Sequence, residues 1–251
     1  MLARSSVVAL ALAAGGCDLV FDVGGEQDPC SLGSFDDAPT VDLATAETFS
    51  VDWDQTFAVI SASGISREIA LPQGTATDID LGPYAPGGIA LAPEGTSMFY
   101  TEIIEPPVLA GALRGGVGMW KLVTDVPRGT FAGTPSADVF GPRRVLVKMR
   151  ATDAAVQEYE DQAGHWVAVG GTQMVPSDQA PNLTPNGLTA VYSTTEADGV
   201  THAVYGMTRP STAVWFGEPV KILAGDQWPQ LLGKCQKLYA VHDGVLRRYD
   251  R

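Results

Sequence analysis

Pairs of carboxylates are the residues of this chain whose spacing could support catalysis. Asp78 and Asp80, Glu102 and Glu105, and Glu158, Glu160 and Asp161 each sit close together in sequence. Two acids about 5–9 Å apart across a cleft can cleave a glycosidic bond, one giving the proton and the other activating water or attacking directly. Nothing in their spacing sets one acid opposite another, and solvated loop acids are the simpler reading. The histidines are His165, His202 and His242. None has a second His or a Cys at metal-ligand spacing. His165 and His202 lie in strand-like runs, and His242-Asp243 lies in a turn. The sequence contains no Gly-x-Ser-x-Gly elbow, no phosphate-cradling Gly loop and no EF-hand calcium loop. Trp53, Trp120, Trp166, Trp215 and Trp228 could stack on sugar rings, but packing between structural units is the expected role. Asn182-Leu183-Thr184 spells a glycosylation sequon to which no weight attaches. No metal or cofactor is expected.

The cysteines carry a different chemistry. Arg4 and the apolar run Val7–Ala14 read as an export signal, too short to cross a bilayer, which needs ~20 apolar residues. Ala14-Gly15-Gly16-Cys17 resembles a bacterial lipobox, with Ala14 where that motif usually has Leu. The resemblance implies that residues 1–16 are removed and that Cys17 becomes a lipidated amino terminus. Each buried methylene contributes about 0.8 kcal/mol, so several acyl chains hold a protein at a membrane without a spanning helix. Residues 17–34 are rich in Gly, Asp and Ser and read as a flexible tether. The folded domain is expected over 35–251.

Composition constrains what that domain is. The 251 residues are 45% hydrophobic but only 18% charged, with 28 Gly and 17 Pro. Many turns joining short strands fit this better than long surface helices. The net charge of −13 becomes one unit more negative once Arg4 is cleaved away. Nucleic acid and anionic headgroups both select clustered Lys and Arg, so neither is an expected partner.

The turn chemistry repeats. Leu91-Ala92-Pro93-Glu94-Gly95 and the strand after it align with Leu183-Thr184-Pro185-Asn186-Gly187 and its strand. A second landmark, Gly133-Thr134-Pro135, is aligned with Gly217-Glu218-Pro219. An insertion at 103–118 then accounts for the unequal spacing. Weaker copies place Val51, Ala137 and Leu231 in register with Leu91 and Leu183, at steps of 40, 46, 46 and 48 residues. Repeats of about 40–50 residues with several short strands are the signature of a β-propeller. A single blade cannot bury both of its faces, whereas a closed ring of blades buries them all and protects the strand edges. The expected fold is all-β, with about five four-stranded blades; six shorter blades are the alternative.

Ring closure bears on the other two cysteines. The chain ends on a hairpin, Leu238–Val241 and Val245–Tyr249 around Asp243-Gly244. The last sheet then lacks an outer strand, which the segment near Thr40–Leu43 could supply. That brings Cys30 towards Cys235, and a disulfide between them is expected.

Residues 181–194 (PNLTPNGLTAVYST) and 205–222 (YGMTRPSTAVWFGEPVKI) resemble the TolB-type, WD-like propeller repeat: a Pro-Asn-Gly turn, an aromatic-bearing strand, an Arg-containing segment and Phe-Gly-x-Pro. Residues 89–135 keep most of these elements; the other three copies lack the intact turn. The resemblance implies protein–protein contact in the cell envelope. The expected function is therefore a lipid-anchored, monomeric envelope protein that binds another envelope protein without catalysing a reaction. A hydrolase or lyase acting on envelope polysaccharide is the alternative. If 103–118 projects from one face, Glu105, Pro106, Pro107 and Arg114 are candidate contact residues.

Overall fold

A computed structural model describes residues 30–251, except 37, 73, 83–85, 124, 137–141, 151 and 233. Cys17 and the expected signal segment lie outside the described residues. After β1 (Val41–Thr45), blade 1 consists of β2 (Thr48–Val51), β3 (Phe57–Ala62), β4 (Ile65–Ala70) and β5 (Ala76–Ile79). Blade 2 is β6 (Pro86–Leu91), β7 (Ser97–Glu102), β8 (Val108–Gly116) and β9 (Met119–Val123). Blade 3 holds β10 (Arg144–Lys148), β11 (Ala155–Gln162) and β12 (His165–Met174). Blade 4 is β13 (Asn182–Leu183), β14 (Thr189–Thr195), β15 (His202–Thr208) and β16 (Val220–Ala224). Blade 5 is β17 (Gln227–Leu232), β18 (Lys237–His242) and β19 (Val245–Asp250), and β1 completes it by pairing antiparallel with β19.

Blade 3 has an irregular innermost strand. Ala132 bridges Val147, and the Gly133 amide donates to the Leu146 carbonyl at 3.1 Å. The fold is thus a five-bladed β-propeller, and no helix occurs among the described residues.

The buried apolar residues show why the ring closes. They fall into five clusters, each spanning one blade-to-blade interface. An open row of five blades has only four interfaces. The fifth cluster, in which Phe49, Val51 and Ile60 of blade 1 meet Leu232, Tyr239 and Val241 of blade 5, is the closure. Each second strand is apolar at consecutive positions because both of its faces are covered. In β3, Phe57 and Val59 face blade 2 while Ala58 and Ile60 face blade 5.

The repeat register is visible in the turns. Gln55, Gly95, Gly187 and Cys235 each stand four residues after the expected reference position, and all are left-handed, at φ 57, 68, 68 and 67°. One local geometry therefore underlies turns that share little sequence. Blade 3 departs from it. Ala137 lies outside the described residues. The Ser136 amide bonds the Arg144 carbonyl eight positions on, where Asp52, Ala92 and Thr184 each reach a partner five positions on.

Two expectations need correction. Gly133-Thr134-Pro135 lies in the innermost strand of blade 3, whereas Gly217-Glu218-Pro219 leads into β16, the outermost strand of blade 4. Turn residues recur at both ends of a blade, so similar tripeptides mark different corners. The segment 103–118 is not an insertion either: most of it is β8, a regular third strand, with Ile103–Pro107 as the loop before it and Val117-Gly118 as the turn after it.

The chain also joins the propeller earlier than residue 35. The Cys30 amide donates to Thr189 Oγ1 at 2.8 Å, Leu32 lies against Gly206, and Phe35 is buried. Cys30 and Cys235 form a disulfide with Cα atoms 5.9 Å apart.

Candidate functional site

Antiparallel pairing sends the turns of each blade to alternating ends of the ring. The second-to-third strand loops and the blade-to-blade crossovers share one end, the crossover end. The first-to-second and third-to-fourth turns share the other, the turn end. The axis at the crossover end is closed by an aromatic side chain. Gly88 on β6 lies so near Trp228 and Phe131 that a β-carbon there would sit 3.2 Å and 3.3 Å from their rings. Trp228 belongs to blade 5 and Gly88 to blade 2, which are not neighbours in a five-membered ring, so the indole spans the channel. Two bulges make this possible: the pairing of β6 with β7 shifts between Pro86 and Ile89, and that of β17 with β18 between Gln227 and Gln230. The bulge places Trp228 at φ 53°. A bulky residue held left-handed costs on the order of 1–3 kcal/mol, and such strain clusters at functional positions.

Apolar surface continues outward from this plug. Ile103 is 60% exposed and rests on Gly87. Glu105, Pro106 and Pro107 follow it on the same exposed loop, with Val108 exposed behind them. Three of the four expected contact residues are therefore on this rim. Arg114 is not. It lies on β8 in the blade 1–blade 2 interface, where its guanidinium pairs with buried Glu68 and stacks 4.1 Å from the centre of the Phe57 ring. Its place in a strand, rather than a projecting loop, directs it there.

Charge is unevenly distributed. Each crossover segment carries one acid, Glu47, Asp80, Asp125, Asp178 and Asp226, of which Asp125 reaches away from the crossover end to His165 beside the β11–β12 turn. The loops at the same end add Glu105, Asp153, Glu196, Asp198 and Asp243, against Arg128, Arg150 and the Lys221 that pairs with Glu196. At the turn end Asp36, Asp52, Asp54, Glu94, Asp161 and Glu218 are interspersed with Arg143, Arg209, Lys234 and Arg251. Sequence reasoning missed the crossover acids, although their recurrence once per repeat was a readable signal.

All three histidines have acid partners from these crossovers. His165 Nδ1 meets Asp125 at 2.9 Å, His202 Nδ1 meets Asp178 at 3.2 Å, and His242 Nδ1 meets Asp226. A carboxylate that is ionised only accepts, and in that state it takes the bond from a protonated Nδ1. Asp226 is fully buried; desolvation pushes its pKa up, opposed by hydrogen bonds from Tyr249 and His242. At the edge of the mouth, Lys148 is buried and gives its ammonium to the carbonyls of Ser177 and Asp178. Desolvation lowers its pKa.

The acid groups considered for glycoside chemistry do not converge on the axis. Asp78 pairs with Arg67 in an exposed ion pair, and Asp80 caps the Gly82 amide at 2.9 Å. Glu158 lines a cleft of about 230 Å³ between blades 3 and 4, with Arg144, Gly170 and Trp215. Its oxygens accept two bonds from Arg209 at 2.8 Å and one from Arg144 at 3.2 Å. Glu160 pairs with Arg144 as well. This leaves a neutral, internally paired network, with no proton donor facing an attacking group. Among the described residues no group of three potential metal ligands occurs. Of the tryptophans, only Trp120 and Trp166 occupy equivalent places, as the second residue of outermost strands.

No family model matches the chain, and no curated protein matches it in sequence. Solved structures do share its fold. TolB from Acinetobacter baumannii aligns with a TM-score of 0.50 at 12% identity, over 81% of this chain and 54% of that protein. A gluconolactonase from Xanthomonas campestris aligns with a TM-score of 0.51 at 12% identity, over 80% of this chain and 70% of that one. The chain thus spans about half the length of the Acinetobacter protein, and what the two likenesses establish is the propeller fold.

Proposed function

We propose that this protein is a non-enzymatic binding scaffold of the bacterial cell envelope, built on a TolB-like propeller and presenting its crossover end to a protein partner. The observation that carries the reading is the mouth itself: Trp228 closes the axis and an exposed apolar loop adjoins it, while Asp78, Glu158 and Glu160 are held in ion pairs. Binding modules place apolar anchors at the centre of a polar rim, whereas a glycosidase needs two acids facing one bond. Anchoring through Cys17 fits the same geometry. Cys30 lies at the turn end beside Cys235. The thirteen residues from Cys17 to Cys30 reach at most ~45 Å when extended, so a lipid on Cys17 would hold the turn end towards the bilayer and leave the acidic mouth facing away.

Two measurements test this. Metabolic labelling with palmitate should mark the wild-type protein and not Cys17→Ser; equal labelling removes the anchor. A photo-crosslinker placed at Pro107 in intact cells should trap a defined protein adduct that Trp228→Ala diminishes. Adducts trapped equally well from the turn end would transfer the binding role to that face.

A further inference from the structure

The geometry points to the chemistry of the partner: a cationic polypeptide segment with one apolar or aromatic anchor residue, which lies on the acidic crossover end and sets its anchor against Trp228. This rests on the scaffold reading above and adds which polypeptides the mouth accepts.

Two independent features converge. The first is apolar and central. Trp228, Phe131 and Ile103 meet around Gly87 and Gly88, neither of which adds a side chain to fill the space between them. Trp228 is only partly buried although the channel beneath it is closed. A partly buried aromatic on a left-handed backbone favours one anchor residue of stated character over diffuse contact. The second is electrostatic and peripheral. Glu105 lies on a loop at the mouth, and Asp243, 91% exposed, tips the β18–β19 hairpin. Asp178 is held in place by the Thr195 amide and His202. Lys148 is turned inward to backbone carbonyls. Arg150 already faces Asp153. The field over the mouth is therefore negative, and it attracts Lys- and Arg-rich segments while repelling acidic ones. At the turn end cations are interspersed among the acids, so the preference is weaker there.

Three labelled peptides decide the matter by fluorescence anisotropy with the folded protein from residue 18 onward. Each has a central Phe flanked by alternating Gly and Lys, Gly and Glu, or Gly and Ser. The Lys peptide is expected to bind and to weaken several-fold between about 50 mM and 200 mM salt, as exposed charges are screened. The combined Glu105→Lys and Asp243→Lys protein should bind it about tenfold more weakly. Trp228→Ala should weaken it too, and replacing the central Phe by Ser should reproduce that loss on wild-type protein. Glu105→Lys and Asp243→Lys alter exposed side chains, and unchanged thermal unfolding will confirm that the fold persists. Equal binding of the Ser or Glu peptide, or indifference to the charge reversals, overturns the cationic partner while leaving the scaffold reading standing. Binding by none of the peptides also overturns it; the crosslinking experiment then judges the scaffold reading separately.

Discussion

Single residues set the two tightest constraints on this propeller. A β-carbon on Gly133 would lie 1.8 Å from the Pro181 carbonyl oxygen, so the innermost strands of blades 3 and 4 approach each other only because that position is glycine. Gly133→Ala should destabilise the protein by at least about 1–3 kcal/mol, read from the urea midpoint. Gly133 stood out in the sequence as turn punctuation, and the structure gives it a steric role instead. Asp226 offers a titration test. Its folded pKa is raised, chiefly by desolvation. The stability tied to its protonated form is present below the unfolded value near 4 and is lost as pH rises through the folded value. Asp226→Asn should remove that fall. Melting temperature measured from pH 3 upward should decline more steeply for the wild type than for the variant over this window. Parallel curves would mean that the burial of Asp226 does not control stability there.

At the scale of elements, neighbouring third strands are bolted together by buried ion pairs. Glu68 on β4 receives Arg114 from β8, and Glu158 on β11 receives Arg209 from the end of β15. Each arginine also stacks on an aromatic ring: Arg114 on Phe57 and Arg209 on Phe216, the latter at 4.4 Å from its centre. The two bolts occupy corresponding places, one joining blades 1 and 2, the other blades 3 and 4. Arg209 is fully buried, so deleting its partner leaves an uncompensated charge in a low-dielectric site. Glu158→Gln should cost about 3–5 kcal/mol. Glu158→Gln combined with Arg209→Leu should cost less than the sum of the single changes, and additive losses in a double-mutant cycle would refute the coupling. The arginine of the repeat motif was legible in the sequence, but its acid was not, because the two are 51 positions apart and belong to different blades.

For the whole molecule, closure is the controlling event. The ring joins where β1 completes blade 5, where the fifth apolar cluster forms, and where Cys30 meets Cys235 across 205 residues of chain. Gln230 reinforces the joint by bonding both the amide and the carbonyl of Val51 at 2.8 Å. Asn182 spans blades 3 and 5, accepting from the Thr134 amide and donating to the Pro229 carbonyl. Cross-linking a loop of this length stabilises by at most about 5 kcal/mol in the chain-entropy model. Cys30→Ser with Cys235→Ser should lower stability by about 2–5 kcal/mol, and a reductant should lower the wild type to a similar midpoint. A reductant-insensitive midpoint would show that β1 and the apolar joint suffice.

Local sequence determined the repeat, the strands and the register of four of the five turns. Those features arise from backbone conformation and apolar alternation within a few residues, which a sequence displays directly. The final hairpin and the need for an added outer strand were legible for the same reason. Only the tertiary structure decided which tripeptides were corners and which were strands, that Arg114 faces Glu68, and that a single indole closes the axis. These depend on contacts between blades, with partners dozens to hundreds of residues apart. No local pattern records which side chain will lie across a channel that exists only once the ring has closed.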